Sequence, residues 1–245
     1  MDFVIKNDIK WLSILENTEL TAGFSTRIGG YSKGSYGGLN IGLNTNDDAS
    51  KIAKNRELLF KTIAPSMVDF YLNQTHSNLV HNIDLDSFKI FCNGDGLVTT
   101  QKNKLLCITI ADCGSILFHD DKNSIVCAIH CGWKGTQLGI IQNALDQLSK
   151  YTDLENIHAY VGPMIRCSSY EVGKEFLNYF SSEYFKESNG KLFFDLNQVI
   201  ISKLLRANLA SVTDCGFDTY SEPELFYSHR QNSESGRMCA FIGLK

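Results

Sequence analysis

Residues 95–150 read DGLVTTQKNKLLCITIADCGSILFHDDKNSIVCAIHCGWKGTQLGIIQNALDQLSK. Four short β-prone runs, Asp95–Thr100, Leu105–Ile110, Ser115–His119 and Ser124–His130, are separated by turn residues such as the Asp120-Asp121-Lys122-Asn123 cluster. A helix is expected from about Thr136 to Lys150, where Leu138, Ile141, Leu145 and Leu148 recur at helical spacing. Working outward, Ile157–Val161 reads as a further buried strand and Val68–Leu72 as strand-like. Ala49–Ile63 reads as a helix with Ile52, Leu59 and Ile63 on one face. Asp195 opens another helix, with Gln198 as its capping-box partner and Leu196, Val199, Ile200 and Leu204 turned inward. Short strands near Phe226–Ser228 and Met238–Ile242 close the chain. Strands clustered in the middle, with helices between and after them, predict an α+β fold of mixed sheets covered by helices. With no repeat, low-complexity tract or linker and only three prolines, residues 1–245 are read as a single domain.

Composition narrows the function classes. The chain has 245 residues, 23 Lys+Arg against 27 Asp+Glu, and a formal net charge of −4. Its 43% hydrophobic and 20% charged residues suit a folded soluble protein, and a pI near 5.9 carries no basic footprint for nucleic acid. The most apolar stretch, Leu105–Phe118, is interrupted by Asp112 and too short to span a membrane. The N-terminus, MDFVIKNDIKWL, lacks the basic-then-apolar order of a signal peptide, so a cytoplasmic location is expected. The eight cysteines include no Cys-x-x-Cys and lie largely in strand-like runs, which favours reduced core thiols over a disulfide framework.

Chemistry concentrates at three places. His130 ends a strand and runs into Cys131-Gly132-Trp133-Lys134-Gly135, a tight loop opening a helix whose first turn offers donors to an anion. Cys113 lies in Ala-Asp-Cys-Gly, where an apolar strand meets an Asp and then a Gly, and His76 follows the strand-like 68–72 run. Two imidazoles and a thiolate make a three-ligand zinc site with one open position, the catalytic arrangement. The metal would hold the thiol deprotonated and lower the pKa of a bound water. The same residues also fit a metal-free pair, with Cys113 as nucleophile and His130 as its base, or a plain core thiol with two hydrogen-bonded histidines. Spacings of 37 and 17 residues match no short metal motif, so only the fold can join the three. The glycine-rich segment Arg27–Asn44 matches neither nucleotide-binding fingerprint. It offers backbone amides and the Arg27 fork to a phosphate or a sugar hydroxyl, or it is a plain hairpin with a surface Arg.

Several fragments in order resemble one family: STRIGG (25–30), LNIG (39–42), QTH (74–76), GDGLVT (94–99), ADC (111–113), HCGWKG (130–135), GP (162–163), YEVG (170–173), SHR (228–230) and GRM (236–238). The pattern is similar to the laccase-domain family, long labelled multicopper polyphenol oxidoreductase. Its members are described as zinc-containing purine nucleoside phosphorylases with adenosine deaminase and methylthioadenosine phosphorylase activities, and a bacterial branch is called peptidoglycan editing factor. The resemblance covers roughly residues 20 to 243. It implies layers of the α/β/β/α type, shared with the catalytic domain of cytotoxic necrotising factor. It implies His76, Cys113 and His130 as ligands of Zn2+, with Cu2+ the less favoured ion, and a pocket lined by Arg27 and Asn40. The implied activity is phosphorolysis of adenosine, inosine, guanosine or methylthioadenosine, and a monomer with no nucleic-acid or membrane partner is expected. Arg27 and the helix start near Lys134 would hold phosphate, His76 or His81 would serve as acid or base, and deamination at the adenine amino carbon would draw on the metal.

The sequence departs from the family where His-Cys-Gly-Trp-Lys-Gly replaces the commoner His-Ala-Gly-Trp-Arg-Gly, so Lys134 keeps the charge without the fork. Gly114 stands for a usual Pro, Ser77 for a usual Gly, and Asp218-Thr219 for a late Cys-Thr. None of these removes a ligand. The rival readings are an editing hydrolase that attacks a peptidoglycan precursor through Cys113, a copper-dependent polyphenol oxidase, and a non-enzymatic binding module. Six scattered histidines without a His-x-His are few for the oxidase's copper clusters.

Overall fold

Burial along one strand of the central stretch alternates between two cores: Val126 and Ala128 face one, Cys127 and Ile129 the other. That period of two marks a sheet covered on both sides. The computed structural model describes residues 1–16, 19–85, 87–122 and 124–245. In chain order its strands are β1 (Asp2–Lys6), β2 (Ile9–Glu16), β3 (Leu20–Ser25), β4 (Val68–Phe70), β5 (Val80–Asn82), β6 (Gly96–Thr99), β7 (Lys104–Ile110), β8 (Gly114–Asp120) and β9 (Val126–Cys131). They continue as β10 (Ile157–Val161), β11 (Glu171–Val172), β12 (Phe185–Ser188), β13 (Lys191–Phe194), β14 (Ser211–Asp214) and β15 (Met238–Leu244). The helices are α1 (Ala49–Ile63), α2 (Trp133–Leu138), α3 (Ile140–Leu148) and α4 (Leu196–Leu205).

Two six-stranded mixed sheets face each other, in the orders β1-β2-β3-β15-β7-β4 and β14-β10-β8-β9-β6-β5. Each is antiparallel apart from parallel pairs at its margins: β4 with β7, β10 with β14, and β5 with β6. Leu106, Ile108 and Ala240 from the first sheet meet Leu97, Leu117 and Ala128 from the second in the inter-sheet core. The outer face of the first sheet packs Leu105, Cys107 and Phe241 against Leu59 and Ile63 of α1. The outer face of the second packs Ile116, Phe118 and Ile129 against Ile141 and Leu145 of α3 and Ile200 of α4. The layers are therefore α/β/β/α, as expected. A small antiparallel sheet, β11-β13-β12, adds Phe194 to the outer core.

Most elements form where their sequence signals lie. Asp48 caps α1 by accepting from Ser50 N, and Asp195 caps α4 by accepting from Gln198 N at 2.9 Å. The helix expected over 136–150 is instead two, α2 and α3, broken at Gly139, whose φ of 94° only glycine adopts without strain. Phe226–Ser228 is no strand. Its apolar residues are buried without a ladder, and Tyr227 N donates to Met238 Sδ. Of the turn cluster at 120–123, Asn123 lies outside the described residues.

The placement of β7 matters most for function. The chain leaves the second sheet after β6, crosses to the first for β7, and returns for β8 through Ala111-Asp112-Cys113. Cys113 therefore sits where the two sheets are stitched together. His130, paired with Ser115 on the neighbouring strand, lies beside it.

Candidate metal centre and active-site cleft

Asp112 enters the crossover at φ 78°, a conformation that costs a non-glycine residue of order 1–3 kcal/mol. Its carboxylate is held by Thr219 Oγ1 at 2.7 Å and Arg230 N at 2.6 Å. The bend turns Cys113 toward the 74–77 loop. That loop is fixed at one end by Gln74, which exchanges two hydrogen bonds with the backbone of Thr109 on β7 (2.9 and 2.8 Å). His76 is also left-handed, at φ 57°.

The buried carboxylate of Asp95 organises the rest. One oxygen accepts from His130 Nδ1 at 2.9 Å and His76 N at 3.1 Å, and the other from Ser77 N at 2.6 Å, Ser77 Oγ at 2.7 Å and Thr75 N at 3.2 Å. Asp95 O also accepts from His130 N at 2.7 Å. One residue thus sets both histidines, and Ser77 contributes both its N–H and its hydroxyl to holding that carboxylate. With Nδ1 committed to Asp95, His130 presents Nε2 to the cleft. Burial raises the Asp95 carboxyl, but the His130 bond and the Ser77 donors outweigh it and hold the group down to about 2.

His76, Cys113 and His130 offer donor atoms that all lie within 4.8 Å of one another, with Cys113 Sγ 3.8 Å from His76 Nε2. An ion bonded to N and S at about 2.0–2.3 Å would hold its donors at about that spacing. Gly132 shows how closely the cradle is built: a Cβ there would stand 2.6 Å from His76 Cδ2 and 3.2 Å from Cys113 Sγ. The residues present fit a three-ligand transition-metal site.

The electrostatics agree. Burial opposes the Cys113 thiolate, but the charge and hydrogen bonds of His130 and His76 prevail and bring the thiol down to about 6. Burial likewise opposes the His130 imidazolium, which Cys113 and Asp95 raise to about 9. Without metal the pair is therefore thiolate and imidazolium at neutral pH. Alkylation of Cys113 in metal-stripped protein should rise as the pH passes through about 6 and level off above it. An ordinary thiol rises near 8.5. Mass-spectrometric labelling across pH 5–9 checks this, and a midpoint above 8 would contradict it.

The cluster lies where two lobes of a cleft meet. One lobe, about 310 Å³, is walled by Arg56, Tyr71, Gln74, Thr109 and Arg237. The other, about 200 Å³, has walls of Trp133, Ile165, Tyr170, Leu196 and Arg230. His76, Ala111, Cys113 and His229 line both.

A family model described as multi-copper polyphenol oxidoreductase laccase matches residues 21–245. The chain belongs to this family. A Deinococcus radiodurans protein named purine nucleoside phosphorylase is 35% identical across 93% of this chain and 90% of its own. Bacillus subtilis YlmD, also named purine nucleoside phosphorylase, is 32% identical across 94% and 90%. Among solved structures, a Neisseria meningitidis protein superposes with a TM-score of 0.88 at 27% identity, covering 96% of this chain and 99% of that one. YlmD from Geobacillus stearothermophilus gives 0.84 at 29%, covering 92% of each.

The fold brings His76, Cys113 and His130 together and places the other expected site residues differently. Arg27 donates to Pro223 O at 2.8 Å and Gly37 O at 3.1 Å, lies over the Tyr227 ring and lines neither lobe. Lys134 is exposed on α2 and lines neither lobe. Asn40 is buried behind the first lobe, where its Oδ1 accepts from Gly42 N and Arg237 N. His81 bonds to Asn93 O at 2.9 Å and faces a different cavity. Sequence reasoning assigned no role to Asp95, Gln74, His229 or Arg237. Their only signal is membership of the GDG, QTH, SHR and GRM fragments. No helix among the described residues is long and apolar enough to cross a membrane.

Proposed function

We propose that this chain is a metal-dependent purine nucleoside phosphorylase acting on adenosine, inosine and related nucleosides. The observation that carries the reading is the His76–Cys113–His130 cluster at the junction of two lobes, in a chain whose relatives bear that enzyme name. Zinc would be held by these three side chains, and when bound it supplies a Lewis acid beside the cleft. In phosphorolysis a phosphate oxygen forms a bond to C1′ of the ribose as the C1′–N9 bond breaks. The bonding pair leaves with the purine, which takes up one proton. His229, on the wall common to both lobes, would give that proton. Trp133 and Tyr170 give the second lobe aromatic walls against which a flat base would pack. Replacement of the adenine amino group by water, releasing ammonia, is the side reaction the same site would support.

A second reading rests on the lowered Cys113 thiol beside His130: a Cys-His hydrolase on a cell-wall precursor. A multicopper oxidase finds no support, because it needs a trinuclear histidine cluster beside a His2Cys centre and among the described residues only this one trio gathers three metal-ligating side chains.

The test is chromatography of free base released from adenosine and inosine by metal-loaded enzyme, with and without phosphate. Phosphate-dependent release that metal removal abolishes is the expected result. Turnover that survives metal removal and ceases on Cys113 alkylation would favour the hydrolase.

A further inference from the structure

We infer that Arg237 is the residue that holds the phosphate co-substrate, through the free Nε/Nη2 edge of its guanidinium. The inference rests on the phosphorylase reading and specifies which wall of the cleft takes the anion. Three guanidinium groups line the two lobes, and they differ in what already satisfies them. Arg56 is spent: its Nη2 meets Asp69 Oδ2 at 2.7 Å and its plane lies 4.3 Å over the Tyr71 ring. Arg230 also leaves Nε and Nη2 without a partner among the described residues, but it is exposed, so water competes for that edge, and it donates Nη1 to Glu171 O at 2.6 Å and lies over the Tyr170 ring.

Arg237 is half-buried and has no carboxylate within ion-pair distance among the described residues. Its Nη1 donates to Ser235 O at 2.7 Å, Gly236 O at 2.9 Å and Ser235 Oγ at 3.3 Å, whereas Nε and Nη2 have no partner among the described residues. Burial disfavours the charge, and Cys113 and Asp112 act against that from nearby. A desolvated guanidinium with an open planar fork matches two oxygens of a tetrahedral anion.

The fork is also built in place. Asn40 Oδ1 accepts from Arg237 N at 2.9 Å and from Gly42 N at 3.0 Å, tying the strand start to the glycine-rich loop. A Cβ on Gly42 would stand 2.6 Å from Arg237 Cγ, so that glycine is what lets the side-chain stem lie flat. Asn40 is thereby a positioning residue, acting on the ligand through Arg237.

The test compares metal-loaded wild type with Arg237→Gln and Arg237→Lys, each checked for equal metal content. Base release from inosine is measured with phosphate and inosine varied separately, and inorganic phosphate is titrated calorimetrically into the same proteins. Arg237→Gln should raise the phosphate KM and Kd about 10- to 100-fold and move the inosine KM by about twofold or less, with Arg237→Lys in between. An unchanged phosphate KM in an active Arg237→Gln enzyme would overturn the inference and leave the phosphorylase reading standing. Wild type that binds phosphate through Arg237 but releases no base would overturn the phosphorylase reading and leave the anion site. Inosine monophosphate cleaved without added phosphate, with the same dependence on Arg237, would show that the fork serves a nucleotide substrate and would overturn the co-substrate assignment.

Discussion

Cys113→Ala is expected to leave a folded protein that no longer holds metal and whose base release falls at least about 100-fold. The scale follows from known sites, where loss of a mere supporting contact to a metal ligand costs 10–100-fold; here the ligand itself goes and only two imidazoles remain. The fold should survive because Cys113 is half-buried at the sheet crossover and its bend is held by Asp112, not by the thiol. Metal per chain by elemental analysis and base release by chromatography report the two losses. The unfolding midpoint of metal-stripped protein should differ from that of stripped wild type by only a few degrees. Undiminished phosphate-dependent turnover would mean that the thiol plays no part and that the cluster is structural.

Asp95→Asn is expected to be the more damaging change to stability. The carboxylate accepts from a buried imidazole, a hydroxyl and three backbone N–H groups. An amide of the same shape turns one acceptor oxygen into a donor facing other donors. Leaving buried donors unmet beside a buried charged partner costs about 2–4 kcal/mol. The sign with pH is fixed as well. The folded carboxyl lies near 2, below its unfolded value of about 4, so its contribution is complete above about 4 and is lost as the pH falls toward 2. Metal affinity should fall about 10–100-fold, because His130 loses the bond that orients Nε2. Urea unfolding and competitive metal titration measure both. Wild-type stability in the variant would show that the 74–77 loop is held by other means.

The two results probe different levels of the design, and the sequence revealed them unequally. Local signals were legible: α1 runs over the expected Ala49–Ile63, Asp195 caps α4, and β10 is the expected Ile157–Val161. These depend on neighbours within a few residues. The helix expected from about Thr136 to Lys150 divides at Gly139 because glycine inside an apolar helical period signals a break only when φ turns positive. Asp95, in a Gly-Asp-Gly run, looks like a turn residue, and its partner His130 is 35 residues away. Arg237 and Asn40 are 197 apart. Nothing in spacing encodes such pairs. They follow from β7 crossing between the sheets and β15 inserting between β3 and β7 in the first sheet. Arg27 and Lys134 attracted attention as cations next to glycines, yet the fold gives Arg27 to two carbonyls and a tyrosine ring and leaves Lys134 on the surface. The half-buried cation with an open fork is Arg237, in a fragment that reads as an ordinary strand start.

Phosphorus NMR of metal-loaded enzyme with inosine and inorganic phosphate would examine the whole account in one spectrum. Ribose 1-phosphate should appear in step with hypoxanthine, one for one, as inorganic phosphate is consumed. Hypoxanthine accompanied by free ribose and an unchanged phosphate signal would make the enzyme a hydrolase, and the phosphorylase account would be wrong.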